Sequence, residues 1–274
     1  MTPREKLVLL GHPVSHSLSP LMQNAAIEAA GMTVLYEAID VSAEALDDAL
    51  PQLKAQRGAG NITIPHKRHA LALMQKLTSA AKRADAVNTF WVDGDGDLAG
   101  DNTDVIGFNL FAEEIAGEIP SGVRVAVLGA GGAAGAVIAA IEAWPDATIS
   151  VHARDLSRAV AMRMRHSVVV RACSMRDPCL ADASIIVNAT PAGMDGHSLP
   201  IDISQLSPAA VVLDLVYLSG ETPLVREARA AGHTAADGLR MLLHQGAASF
   251  KRWFDIEPDR EVMWNALARA TGRS

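Results

Sequence analysis

The sequence predicts an α/β fold in two domains, the second built on a doubly wound parallel sheet. Three observations support this. Apolar runs rich in β-branched residues alternate with helical patterns along most of the chain. The turn GAGGAAG at 129–135 directly follows the run VRVAVL and opens a stretch of small residues. Ahead of it, GAGNITIPHK at 58–67, DAVNTF at 85–90 and GDNTDVIGF at 100–108 set amides, hydroxyls and charges among apolar residues.

The first domain is expected to span 1–102, joined by helices from 239–274 that return to it, and the second to span 103–238. In the first, strands are predicted at 7–10, 34–39, 60–64 and 89–92, and helices at 20–30, 43–55 and 66–77. Ser19 before Pro20 reads as a hydroxyl cap followed by proline at the first helical position. The segment DGDGD at 93–97 reads as a hairpin or loop tip. In the second, strands are predicted at 123–128, 148–151, 168–171, 184–187 and 211–215, with helices at 133–144 and 156–164. Near-continuous apolar runs of this kind suit strands buried on both faces, which is why a doubly wound sheet follows. Thr103–Ala116 and the helix from about Leu239 carry the chain between the domains, a connection suited to hinge motion.

Composition excludes several classes of function. With 274 residues, 49% hydrophobic and 20% charged, the chain has ample core material, but at 4% aromatics it must build from Ala, Val, Leu and Ile. A net charge of −7 argues against a nucleic-acid or anionic-membrane partner, since both demand a basic face. Cys173 and Cys179 are too few and badly spaced for a zinc site or a CxxC pair, so they read as reduced, inert thiols and no metal is expected. The N-terminal apolar run is far short of a signal-peptide core, and the uncharged segment 129–141 falls short of the ~20 residues a membrane span needs. A cytoplasmic location is expected.

Gly129-x-Gly131-x-x-Ala134 matches the dinucleotide fingerprint of a Rossmann-type domain. Gly129 permits the tight turn, Gly131 lets backbone approach a pyrophosphate, and Ala134 allows close helix–strand packing. The helix N-terminus then offers free N–H groups to phosphate oxygens. VHARDLSR at 151–158 should choose the cofactor. Arg154 and Arg158, a helical turn apart, suit a 2′-phosphate, whereas Asp155 would repel it or simply start a helix.

Lys67, after Pro65 at a predicted helix start, would feel the positive dipole end, which should lower its pKa toward proton transfer. Asp104 also stands at a helix start, where the dipole favours a carboxylate. A Lys–Asp pair would bind a hydroxyl and shuttle its proton. Taken singly, each also reads as an ordinary surface or first-turn residue.

GHPVSHSLSP at 11–20, NITIPHK at 61–67, AVNT at 86–89 and GDNTD at 100–104 resemble the shikimate dehydrogenase family. So do GAGGAA at 129–134, NATPAGM at 188–194, DLVY with TPL at 214–224, and DGLRMLLHQ at 237–245, in order over nearly the whole chain. The resemblance implies conversion of 3-dehydroshikimate to shikimate with a nicotinamide cofactor, usually NADPH. It implies that Ser17 and Ser19 hold the substrate carboxylate with Tyr217 nearby, and that Thr63, Asn88 and Gln245 meet ring hydroxyls. Lys67 and Asp104 become the catalytic pair, Asp104 also touching substrate. Cofactor residues become Gly129, Ala130, Gly131, Gly132, Ala133, Arg154, Arg158, Thr190, Leu215 and Gly238.

The chain departs from the family at three places. Ala153 and Asp155 flank Arg154 where NADP-using members typically carry Asn and Thr. Arg240 stands where glycine is usual, and Pro191 with Ala192 replaces a small polar pair. The expected enzyme moves hydride between the nicotinamide C4 and ring C3, with Lys67 exchanging the proton of the reacting oxygen. NADP is the expected cofactor and a small anionic hydroxy acid the expected partner, in a monomer or homodimer. The alternatives are an NAD-dependent quinate/shikimate dehydrogenase, a relative acting on another shikimate-like acid, and a non-catalytic nucleotide sensor. Retention of both Lys67 and Asp104 argues against the sensor.

Overall fold

The computed structural model describes residues 6–175 and 177–273. The chain divides into two units, one running to Gly107 and resuming at Leu242, the other spanning Phe108–Met241. Both boundaries fall inside helices.

The first unit contains strands β1 (Leu7–Gly11), β2 (Tyr36–Asp40), β3 (Ala59–Ile62), β4 (Lys76–Leu77), β5 (Thr89–Val92) and β6 (Leu98–Asp101). Their order is β2-β1-β3-β5-β6-β4, with β5 antiparallel to both neighbours. The helices are α1 (Ser19–Ala29), α2 (Ala43–Ala55), α3 (Lys67–Leu73), α4 (Ser79–Ala84) and the start of α5 (Thr103–Ala116). One core joins Val8, Leu10 and Ile62 to Leu46, Leu50 and Phe90. Trp253, fully buried, stacks on Tyr36 with ring centroids 5.6 Å apart, so the few aromatics sit where large volumes must be filled.

The second unit contains β7 (Arg124–Leu128), β8 (Thr148–Ala153), β9 (Val169–Ser174), β10 (Ile185–Asn188), β11 (Val211–Asp214) and β12 (Ala235–Ala236), with helices α6 (Gly132–Ile141), α7 (Leu156–Arg165) and α8 (Pro223–Ala230). All strands are parallel, in the order β12-β11-β10-β7-β8-β9. The order reverses between β7 and β10, the place where doubly wound sheets bind ligands. α9 (Leu239–Phe254) and α10 (Arg260–Thr271) complete the chain, and α10 packs on α1. Among the described residues no helix is long and apolar enough to cross a membrane.

Two local expectations need correction. Ser19 is not the cap of α1 but its first residue: Leu18 occupies the cap position, and Ser17 Oγ accepts the Ser19 N–H at 3.2 Å. Pro20 has no N–H to satisfy, so the hydroxyl is needed one step earlier than the proline pattern suggests. The helix predicted over 66–77 ends at Leu73, because Lys76–Leu77 pairs with β6. The hairpin tip at 93–97 joins β5 and β6 as expected.

Candidate active site

In the first unit, Lys67 opens α3 and Asp104 stands in the first turn of α5. Lys67 Nζ donates to Asp104 Oδ2 at 2.7 Å, with the two side chains only 17% and 8% exposed. Partial removal from water makes such a pair stronger and more precisely oriented than a surface ion pair.

The segment 86–88 ties both halves together. The Val87 N–H donates to the Lys67 carbonyl at 2.8 Å. Asn88 Oδ1 accepts the Thr103 N–H at 2.7 Å, and Asn88 Nδ2 donates to Thr103 Oγ1 at 3.0 Å. Asn102 Nδ2 donates to the Ala86 carbonyl, while Asn102 Oδ1 accepts the Asp104 N–H. Asp101 is gripped by Thr78 and by Arg252 of α9, whose Nε donates at 2.7 Å. Underneath, Asn61 Nδ2 donates to the Asn88 carbonyl and to Ser249 Oγ, and Ser249 Oγ lies 2.9 Å from Thr103 Oγ1. The Tyr36 hydroxyl closes this buried network by donating to Asn61 Oδ1 at 2.8 Å, and burial holds its phenol well above the usual range.

The other residues expected to meet substrate have these places. Ser19 is buried and Ser17 half-buried at the start of α1, a helix end that carries no side-chain cap at Leu18. Thr63 follows β3 and is half-buried, with its N–H donating to the Leu10 carbonyl at 2.8 Å. Gln245, in α9, is nearly buried and packs so close to Gly107 that a Cβ there would lie 2.8 Å from its own. The Asn88 amide also bonds Thr103, which the motif alone does not reveal. Tyr217 belongs to the second unit, in the segment after β11. Asn61, Asn102, Ser249 and Arg252 were not singled out from the sequence. Ser249, 146 positions from Thr103, carries no local signal at all.

In the second unit the expected cofactor residues follow the C-terminal ends of the parallel strands: Gly129 after β7, Arg154 after β8, Thr190 after β10, Leu215 after β11 and Gly238 after β12. Gly129 has φ +106, and a Cβ there would come within 2.9 Å of the Ala189 carbonyl oxygen. A Cβ on Gly131 would meet nothing within 4 Å, and α6 begins there without a side-chain cap. Open space in front of bare N–H groups, with Ala130, Gly132 and Ala133 lining the turn, fits a pyrophosphate. Gly238 approaches Leu215 too closely for a side chain, its N–H donating to the Val216 carbonyl at 2.9 Å.

Asp155 caps α7: its Oδ1 accepts from the Ser157 N–H and hydroxyl, and these bonds hold its carboxyl below the usual range. Arg158 lies 3.7 Å from the same carboxylate, and among the described residues Arg154 has no ion-pair partner. Asp214 is buried, receiving bonds from Asn188 Nδ2, the Thr222 hydroxyl and the Val216 N–H, yet desolvation pushes its carboxyl up to about 6. Arg240, the departure near Gly238, pairs with Glu114 of α5 at 3.3 Å. The structure also brings Cys173 and Cys179 together with His152, a third group that cysteine spacing could not reveal.

The chain is similar to known proteins over nearly its whole length. The family model "Shikimate dehydrogenase substrate binding domain" matches residues 9–90, and "Shikimate 5'-dehydrogenase C-terminal domain" matches 238–268. A shikimate dehydrogenase (NADP(+)) of Mesorhizobium japonicum is 40% identical over 268 residues, covering 96% of this chain and 95% of the relative. The shikimate 5-dehydrogenase of Thermus thermophilus, solved with NADP(H) and shikimate, superposes with TM-score 0.85 at 38% identity, over 97% of this chain and 99% of that one. A quinate dehydrogenase of Corynebacterium glutamicum, solved with NAD, gives TM-score 0.86 at 32% identity over 97% and 99%. With its motifs, its fold and full-length relatives in accord, this chain belongs to the shikimate dehydrogenase family.

Proposed function

We propose that this chain catalyses the reversible, NADP(H)-dependent reduction of 3-dehydroshikimate to shikimate, with Lys67 and Asp104 as the catalytic pair. The observation that carries the assignment of roles is the shielded 2.7 Å contact between Lys67 Nζ and Asp104 Oδ2. The glycine turn at 129–133 would hold the nicotinamide cofactor, which when bound would supply or accept the hydride. Lys67 gives a proton to the reacting oxygen during reduction and takes it back during oxidation. Asp104 orients the Lys67 ammonium and accepts a hydrogen bond from a ring hydroxyl. Ser17 and Ser19 anchor the substrate carboxylate with short hydroxyl donors at an uncapped helix start, and Thr63, Asn88, Tyr217 and Gln245 complete the substrate set.

The M. japonicum relative is named for NADP(+), and Arg154 with Arg158 supports that cofactor here. The second reading is NAD-dependent action on quinate or shikimate, favoured by the likeness to the C. glutamicum quinate dehydrogenase. The capping bonds of Asp155 weigh against it, because they occupy Oδ1, while Arg158 Nε faces Oδ2 at 3.7 Å. The same proposal includes a cytoplasmic location, a monomer or homodimer, and no nucleic-acid or membrane partner, in keeping with a net charge of −7. Initial rates with shikimate and quinate against NADP and NAD test it. Shikimate with NADP should give the highest kcat/KM, and a preference for quinate with NAD would reverse the reading.

A further inference from the structure

His152 of β8, Cys173 of β9 and Cys179 of the 3-10 turn Pro178–Asp182 converge from three elements of the second unit. Their ligand-capable atoms all lie within 4.8 Å of one another, and all three residues are buried. The Cys179 sulfur stands 3.6 Å from His152 Nε2 and 3.2 Å from the Cys173 sulfur. Tetrahedral zinc, with Zn–S about 2.3 Å and Zn–N about 2.0–2.1 Å, sets its ligand atoms roughly 3.5–3.8 Å apart. The Cys179–His152 spacing already matches, and the two sulfurs need to part by roughly half an ångström.

The histidine is prepared in the way a ligand must be. His152 Nδ1 lies 3.2 Å from the Ser174 carbonyl oxygen, an atom that can only accept, so the ring proton sits on Nδ1. The Nε2 lone pair then points toward the cluster, where the Ser150 hydroxyl at 3.0 Å is the group it would exchange for a cation. An outer bond from the second ring nitrogen to a backbone carbonyl is the usual support of a metal-bound imidazole.

We infer that His152, Cys173 and Cys179 form a site for a zinc-like divalent cation. Binding displaces both thiol protons, so one dication and two thiolates leave the buried site without net charge. Two sulfurs and an imidazole select zinc over magnesium or calcium, which prefer oxygen. The fourth position is left to water, since among the described residues no further histidine, cysteine or carboxylate joins the cluster. The role is structural: it clamps the turn at Pro178–Asp182 to strands β8 and β9.

The test uses reduced, chelator-treated, tag-free protein titrated with cobalt(II) and then zinc. One cobalt per chain should bind, with a near-ultraviolet thiolate charge-transfer band and intense tetrahedral visible bands that zinc abolishes. Cys173→Ser and Cys179→Ser should each lower zinc affinity by more than the roughly 10–100-fold lost with an outer partner, while retained dehydrogenase activity reports an intact fold. Absence of a thiolate band in the wild-type chain at saturating cobalt overturns the site. So does a band that survives both substitutions. Failure of the reduced protein to take up metal, with both thiols consumed by oxidised glutathione, identifies a redox pair instead.

Discussion

Asn88 and Thr103 hold each other in both directions, the Thr103 N–H donating to Asn88 Oδ1 and Asn88 Nδ2 donating to Thr103 Oγ1. Asp104 is the next residue along, and Val87, just before Asn88, binds the backbone of Lys67. Two consecutive residues thus set the separation of a pair that lies 37 positions apart in the chain. Rigid support of this kind is what holds a proton-transfer pair in register.

If Lys67 carries the proton, Lys67→Ala lowers kcat by roughly 10²–10⁴-fold with a smaller change in KM. Steady-state rates decide. Unchanged kcat with raised KM would make Lys67 a binding residue only.

Ser249→Ala removes the hydroxyl shared by Asn61 and Thr103, both buried. Leaving their polar groups unpaired should cost about 1–3 kcal/mol of stability, measured by urea unfolding. A loss under 0.5 kcal/mol would mean that the network rearranges around the gap, as ~0.5 kcal/mol is typical of neutral surface changes.

If Ser17 and Ser19 anchor the substrate carboxylate as proposed, Ser17→Ala and Ser19→Ala each delete a donor worth roughly 1.5–3 kcal/mol when shielded. KM for shikimate should rise about ten- to a hundredfold while KM for the cofactor stays nearly constant. Equal weakening of both would point to damage at the start of α1, where Ser17 also accepts the Ser19 N–H.

If Arg154 pairs with the 2′-phosphate as proposed, Arg154→Ala should weaken NADP far more than NAD. Asp155→Ser should strengthen NADP by removing a repulsive charge, and it keeps α7 capped because serine also serves at that position. Cofactor titrations of both variants check this. An Asp155→Ser enzyme that lost a wild-type preference for NAD would make Asp155 the ribose ligand.

Asp214 yields a pH prediction. Its folded pKa, about 6, stands above the ordinary 3.8, so between those values the folded chain holds more of its proton than the unfolded chain. Its contribution to stability therefore falls as pH rises through that window and levels off above it. The total change is of order 3 kcal/mol. Asp214→Asn abolishes this slope, so the stability difference between variant and wild type should shift in the variant's favour on going from about pH 4 to about pH 7. A pH-independent difference would show that the bonds from Asn188, Thr222 and Val216 fully offset desolvation, and a shift in the opposite direction that they outweigh it.

The motifs give the family, and the strand–turn–helix of the glycine loop and the α/β alternation are legible in the sequence. These depend on local rules: β-branched runs buried on both faces, glycine at Gly129 where φ is positive, small residues where a helix meets a sheet. The same rules put Lys67 and Asp104 each at its own helix start, as the structure has them, but do not bring the two side by side. Strand β6 carries no strand signal of its own, because LAGD lacks β-branched residues, and it pairs because the turn at 93–97 brings it beside β5. Tertiary structure alone decided that Asn88 serves Thr103, that Ser249 and Arg252 reach the GDNTD segment from α9, and that His152 joins two cysteines. Those contacts join groups far apart in the chain. Their free energy comes from pairing buried polar atoms away from water, which no periodicity or spacing encodes.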